Sequence, residues 1–404
     1  MKLLSLNNSV DINSPISITS TIFMSLSGWV VFMGMPIILG TLADLRGYGD
    51  AEIGYLASAE LGGMFLASLF VAATVNRLNR RMAAVAGLLV SLVINIMAGA
   101  VTDYWFFMML RIIAGFGSGI CYSIAVANLA GTRNKARNYS FMIFTLVACN
   151  ALELYFLPDI AAAFGVAGIF YVFAALNLIS LFFVRNVAAS CTLKKAETAA
   201  PVVSVVSPIY SWLCIAAVVC FYICISSFWA YIERLGVTQG FTSDFIATTL
   251  SLTTLFSLAG CYFAYRVSKV MGQSLPLVLT LLIISITIFC MAFMPSQAVY
   301  FAGLLIYQLL WNSIDIYQLG TLSNIDPTGR YVALVSGASG LGQMIGPAGA
   351  GVTISLGYGV QAALMFAGTA SLIAMGIYLI VHIGLMRNGR YDPVTDSEET
   401  RALI

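Results

Sequence analysis

Six ionisable side chains stand within or at the ends of runs of apolar sequence: Glu60, Arg111, Glu153, Glu233, Asp315 and His382. A charge in hydrocarbon is costly unless it is paired or faces water, so each marks a place where an ion or a polar solute could bind. At about 1.5 Å per helical residue, Glu60 and Arg111 lie roughly 10–12 Å in from the outer ends of their helices, and Glu153 about 15 Å. The three share one layer, and a cluster is expected there. One Arg cannot neutralise two carboxylates, which leaves one of them able to take up and release a proton near neutral pH. The competing reading is a fixed ion pair that only locks helices together. Glu153 leads, with Arg111 and Glu60 as its expected partners. It sits in "LVACNALELYFLP" (146–158), with Asn150 one turn earlier to hydrogen-bond it and Tyr155 just beyond.

Asp315 lies in "WNSIDIYQ" (311–318), where Asn312, Asp315 and, less closely, Trp311 and Gln318 fall along one helix side. A role in holding substrate or an ion is weighed there against a hydrogen-bonded structural Asp. Glu233 and Trp229, at i and i+4 in "SSFWAYIERLG" (226–236), share a face. They read either as an outer vestibule or as an aromatic belt with a snorkelling charge. Trp29, Tyr155, Trp229, Trp311 and Tyr317 are candidate aromatic walls. His382, close to Arg387, reads as interfacial; with a single His in the chain, a His-rich metal site is excluded. Seven of the eight Cys fall within apolar spans and read as packing rather than as a disulfide framework. "SGASGLG" (336–342) lies in an apolar span instead of after a strand, so it is not a nucleotide loop. No Ser-His-Asp set or metal-ligand spacing appears, so no enzyme and no cofactor is expected.

The elements that must position these residues follow from composition. Of 404 residues, 60% are apolar and 9% charged, against about 25% charged in soluble domains. Apolar runs long enough to cross a bilayer recur from end to end. Twelve spans are expected at 19–41, 53–75, 82–101, 105–129, 139–163, 167–184, 210–232, 245–267, 275–294, 299–322, 332–356 and 362–386. On that layout every Lys and Arg except Arg46, Arg111 and Arg234 falls on one side, which puts both termini in the cytoplasm. The start of the chain does not read as a cleavable signal. The expected fold is an all-α polytopic membrane protein with 12 transmembrane helices. They form an N-terminal six-helix bundle (1–184), a cytoplasmic linker (185–209), a C-terminal six-helix bundle (210–386) and a cytoplasmic tail (387–404). The halves read as a repeat: Arg77 and Lys269 occupy matching loop positions, as do Arg137 and Arg330.

This layout resembles the major facilitator superfamily over essentially the whole chain. After span 2 the chain reads "ATVNRLNRR", with Asn76 where that family usually has Asp and with Arg77, Arg80 and Arg81 kept; the usual Gly is missing. Span 4 reads "RIIAGFGSG", an Arg followed by the spaced glycines Gly115, Gly117 and Gly119. The resemblance implies two pseudo-symmetric halves rocking about a central cavity lined by spans 1, 4, 7 and 10, and so places Asp315 there. It implies a part in proton transfer for Arg111 and a conformational role for Arg77, Arg80 and Arg81. In this family a Gly-Pro motif in span 5 accompanies antiporters. Here Gly346 and Pro347 of "GLGQMIGPAGAG" (340–351) lie in span 11, the repeat partner of span 5. Close helix packing between the halves is the expected role of that run, and through that packing Gly346 and Pro347 are expected to serve the conformational change. Glu153 stands at the matching position of the other half.

The function expected is secondary active transport of a small organic solute, cationic or zwitterionic and partly apolar, driven by a proton gradient. Four carboxylates against one intramembrane Arg favour a cation, a zwitterion or protons. The missing span-5 motif leans towards symport and leaves proton-antiport export of drugs or metabolites as the alternative, with a lipid or lysolipid transporter of the same fold behind it. The expected partners are solute, protons and the bilayer, with no nucleic acid. A monomer in a bacterial inner membrane is what the resemblance implies.

Overall fold

In a computed structural model of the chain, the residues described are 10–75, 77–189, 207–326 and 331–387. Most of the expected linker, the tail beyond Arg387, and Asn76 and Arg330 lie outside them. All regular structure among the described residues is helical. The first unit, Met1–Ala196, holds α1 (Pro15–Met33), α2 (Met35–Arg46), α3 (Asp50–Thr74), α4 (Arg80–Ala100), α5 (Tyr104–Ala130) and α6 (Lys135–Phe183). The second, Glu197–Ile404, holds α7 (Pro208–Thr238), α8 (Ser243–Leu255), α9 (Ser257–Met271), α10 (Ser274–Phe293), α11 (Gln297–Ile325), α12 (Val335–Thr353) and α13 (Gly359–Arg387).

Among the described residues, ten helical stretches are long and apolar enough to cross a membrane. Two of them, Arg137–Asn186 and Val335–Arg387, run 50 and 53 residues, enough for two crossings each. Each is broken at glycine. Gly165 has φ 65°, and Gly357 and Gly359 have φ 89° and 73°, a region that residues with a Cβ rarely adopt. Read as two crossings each, these stretches bring the total to the expected twelve. The chain is an all-α, multi-pass integral membrane protein.

Spans 1 and 8 differ from the sequence reading, which drew each as one helix. Span 1 is split at Gly34. Pro36 follows in the first turn of α2, and a proline there has no N–H to give and crowds the carbonyl four residues back. Span 8 is split at Phe256. Just before it, the hydroxyls of Thr253 and Thr254 turn back onto the carbonyls of Thr249 (2.7 Å) and Leu250 (2.8 Å), a pattern that bends helices.

Small residues set how closely helices approach. α3 lies on α5: a Cβ on Gly115 would strike the Glu60 carbonyl, one on Gly63 the Ile112 carbonyl, and one on Gly119 would stand 2.8 Å from Met64 Cα. The span-4 glycines thus bring backbones together, as small residues do between membrane helices. The Gly-Pro run makes close approaches of the same kind. Gly342 and Gly346 face α7 of their own unit, where a Cβ on Gly342 would be 2.5 Å from the Val219 carbonyl and one on Gly346 would strike Ser226 Oγ. This packing lies within the second unit.

Candidate functional site

The close approach of α3 and α5 places Glu60 beside Arg111. Both are buried, and Arg111 Nη1 stands 3.8 Å from Glu60 Oε2. That is an ion contact too long for a hydrogen bond. Arg111 is held more firmly by neutral groups: its Nη2 donates to Asn95 Oδ1 of α4 at 3.0 Å. Its guanidinium lies 4.7 Å from the ring centroid of Phe170 and 5.8 Å from that of Phe107, within cation–π reach. Arg46, at the end of α2, lies over Phe107 at 4.6 Å and donates to the Ala98 carbonyl at 2.8 Å. Glu60 and Arg111 line a small recess whose walls include Val31, Met35, Leu39, Leu42 and Leu56.

Glu153 does not join this pair. Its carboxylate is pressed against the bare Cα of Gly34, at the break between α1 and α2. Both carboxylate oxygens are buried and accept no hydrogen bond, and no cation among the described residues lies within 4.0 Å of them. Asn150 does not donate to Glu153 as expected; its own Oδ1 is also buried with no hydrogen-bond partner. Tyr155 does not line the break at Gly34. Residues two apart on a helix point nearly opposite ways, and Tyr155, like Leu152 and Phe156, is about half exposed. Trp29 is half-buried and stacks on Tyr122 of α5, with ring centroids 4.5 Å apart. The expected layer therefore resolves into two places: the break at Gly34 with Glu153, and the recess beside the next residue, Met35, with Glu60 and Arg111.

In the second unit, Asp315 Oδ1 accepts from the Tyr222 hydroxyl of α7 at 3.0 Å. Trp311, one turn earlier on α11, meets Trp229 (6.0 Å between centroids) and Tyr307 (5.9 Å), and Tyr307 stacks on Phe228 at 4.0 Å. Trp229 and Tyr317 are fully buried and Glu233 is 9% exposed, so Trp229 and Glu233 do not form an exposed belt. Asn312 braces backbone, its amide donating to the Ser257 carbonyl at 3.1 Å, at the break between α8 and α9.

Arg77 is exposed, whereas Arg80 and Arg81 are buried. Arg80 Nη1 donates to Asn128 Oδ1 at 2.9 Å and Arg81 Nε to the Val187 carbonyl at 2.8 Å. They tie the start of α4 to the end of α5 and to the segment after α6. Sequence reasoning missed Asn95, Arg46, Phe107, Phe170 and Tyr222. Asn95 carried a usable signal, a lone amide inside "SLVINIMAG" (91–99). So did Phe107, four residues before Arg111 in the same span; Phe170 and Tyr222 did not, because aromatic residues in apolar spans are common.

Comparison with known proteins adds three findings. A family model described as Major Facilitator Superfamily matches residues 18–324. The multidrug resistance protein MdtL of Citrobacter koseri is 31% identical over 105 residues, 26% of this chain and 26% of that protein; the match thus spans about a quarter of that relative. Among solved structures, a bacterial homolog of the human lysosomal transporter Spinster, in an inward-facing and unoccupied conformation, superposes with a TM-score of 0.74 at 11% identity over 96% of this chain and 100% of that one. The nucleoside transporter NupG superposes with a TM-score of 0.67 at 13% identity, over 94% of this chain and all of that one. At such identities the likeness is one of fold.

Proposed function

The chain belongs to the major facilitator superfamily of membrane transporters, and from that premise we propose that it is a proton-coupled secondary transporter of a small, partly apolar organic solute, with Glu153 as the proton carrier. The carrying observation is that both Glu153 oxygens are buried with neither a hydrogen-bond donor nor a cation beside them. An ionised carboxylate in that setting is strongly disfavoured, so the group holds a proton while enclosed and loses it where water reaches it. A site whose charge depends on exposure is what alternating access needs to couple a proton to a cargo. Asp315, with the Trp311, Trp229 and Tyr307 rings, supports a cationic or zwitterionic cargo. The chain works without a cofactor, as a monomer, in a bacterial inner membrane with both termini in the cytoplasm.

Symport is the first reading for direction. The MdtL match favours a second, proton antiport that exports drug-like molecules. The test is transport by purified protein in liposomes, with uridine, a zwitterionic amino acid and tetraphenylphosphonium as probes, with and without an imposed pH gradient. Accumulation that follows the gradient supports the proposal, and its sense separates symport from antiport. Equal movement with and without a gradient, unchanged by Glu153→Gln, sinks it.

A further inference from the structure

The charges around Phe107 do not balance. Arg46 and Arg111 both stand over its ring, at 4.6 Å and 5.8 Å, yet among the described residues one carboxylate, Glu60, lies within 4.0 Å of either guanidinium. Three of their N–H-bearing nitrogens, Arg46 Nη1 and Arg111 Nε and Nη1, are buried and donate no hydrogen bond. Arg111 does not depend on Glu60 for its position, because Asn95 and the Phe170 ring hold it. When Glu60 is neutralised, Arg111 therefore stays in place as a buried cation facing the apolar-walled recess. A cation so placed draws in an anion.

We propose that Arg111 is a binding site for a carboxylate on the cargo, which competes with the Glu60 carboxylate for the same guanidinium. Arg111 Nε and Nη1, buried and donating no hydrogen bond, each offer a carboxylate oxygen a charge-assisted bond. The recess beside it is small, and its walls Met35, Leu39 and Leu56 are apolar, which favours an acid with an apolar tail over a fully polar one. Glu60 acts as an internal occupant that steps aside when it is protonated. This inference rests on the transporter reading for calling the ligand cargo. It narrows that cargo from a cation or zwitterion to a molecule with an acid group, while Asp315 remains open to its positive end.

The test is thermal unfolding of the full-length protein in detergent with hexanoate, against hexylamine and hexanol as cationic and neutral controls of equal chain length. A ligand that binds the folded state raises Tm with its concentration. The expected result is a rise with hexanoate alone. Glu60→Gln, which keeps the shape but removes the competing charge, is expected to lower the hexanoate concentration for half the shift about tenfold. Arg111→Gln should abolish the response. Because that variant could fail to fold, Leu39→Phe fills the recess without touching a charge and should also weaken the response. Equal shifts with hexylamine, no shift in Glu60→Gln, or a Glu60→Gln response identical to the parent's would overturn the proposal. The readout needs no proton gradient, so a failure of coupling at Glu153 leaves it intact, and its own failure leaves that coupling untouched.

Discussion

Glu153 on α6 lies so close to Gly34 that a Cβ there would collide with its Oε1, and Leu157 Cδ1 would stand 2.9 Å from the same point. The break in span 1 and the buried carboxylate are thus one feature, since the glycine that ends α1 leaves the space the carboxylate fills. Gly34→Ala must push the carboxylate aside. A misplacement near 1 Å at such a site costs up to about 100-fold in rate, and gradient-driven transport is expected to fall by about that order while the protein stays monodisperse. Full activity in Gly34→Ala would contradict the role given to this contact.

Asn95→Leu removes the hydrogen bond that holds Arg111. A buried hydrogen bond to a charged group contributes about 1.5–3 kcal/mol, so Tm in detergent should fall. Phe170→Leu should fall less, and the double variant should lose less than the two single losses added, because both changes release the same guanidinium. Strict additivity in that cycle counts against a shared hold on Arg111.

Asp315→Asn keeps the size of the side chain but removes its charge. Binding of tetraphenylphosphonium is expected to weaken at least about tenfold, ~1.4 kcal/mol, with uridine unaffected. Tyr222→Phe, which removes the donor on Oδ1, should fall between Asp315→Asn and the parent. Equal losses for the charged and the neutral probe would mean that Asp315 serves structure alone.

Gly115→Val drives two methyl groups towards the Glu60 carbonyl. Overpacking of this kind typically costs about 1–3 kcal/mol, and backbone cannot move aside as a side chain can, so poor expression or a lowered Tm is expected. Gly376→Ala in α13 is the matched control. Nothing lies within 4 Å of the added Cβ, and replacing a mid-helix Gly by Ala stabilises by roughly 0.5–1 kcal/mol. The pair separates packing glycines from incidental ones.

Much of the fold was readable because hydrocarbon imposes a strict rule: a crossing segment must be apolar over about 20 residues. Spans 2, 3, 4 and 7 fall close to α3, α4, α5 and α7 for that reason. The breaks at Gly34 and Phe256 were not read, because apolarity continues through them; Pro36 was the available signal. Depth counting found that Glu60 and Arg111 share a layer, and the 3.8 Å ion contact follows from it. The same count grouped Glu153 with them, since depth along a helix says nothing about which neighbour its side chain faces. Asn95 and the Phe170 ring come to Arg111 through tertiary packing of α4, α5 and α6, which no local spacing encodes, whereas Phe107 stands four residues before Arg111 on α5 and was legible from spacing.

The most direct test of the account follows protons rather than solute. Protein is reconstituted into liposomes that hold a trapped pH dye, at equal pH inside and out, and the solute selected by the probe panel is added outside. The parent protein is predicted to move protons in step with the solute, and Glu153→Gln to give no solute-driven pH change while still exchanging labelled for unlabelled solute. Solute entry with no pH change in the parent, or an undiminished pH change in Glu153→Gln, would contradict the claim that Glu153 carries the proton.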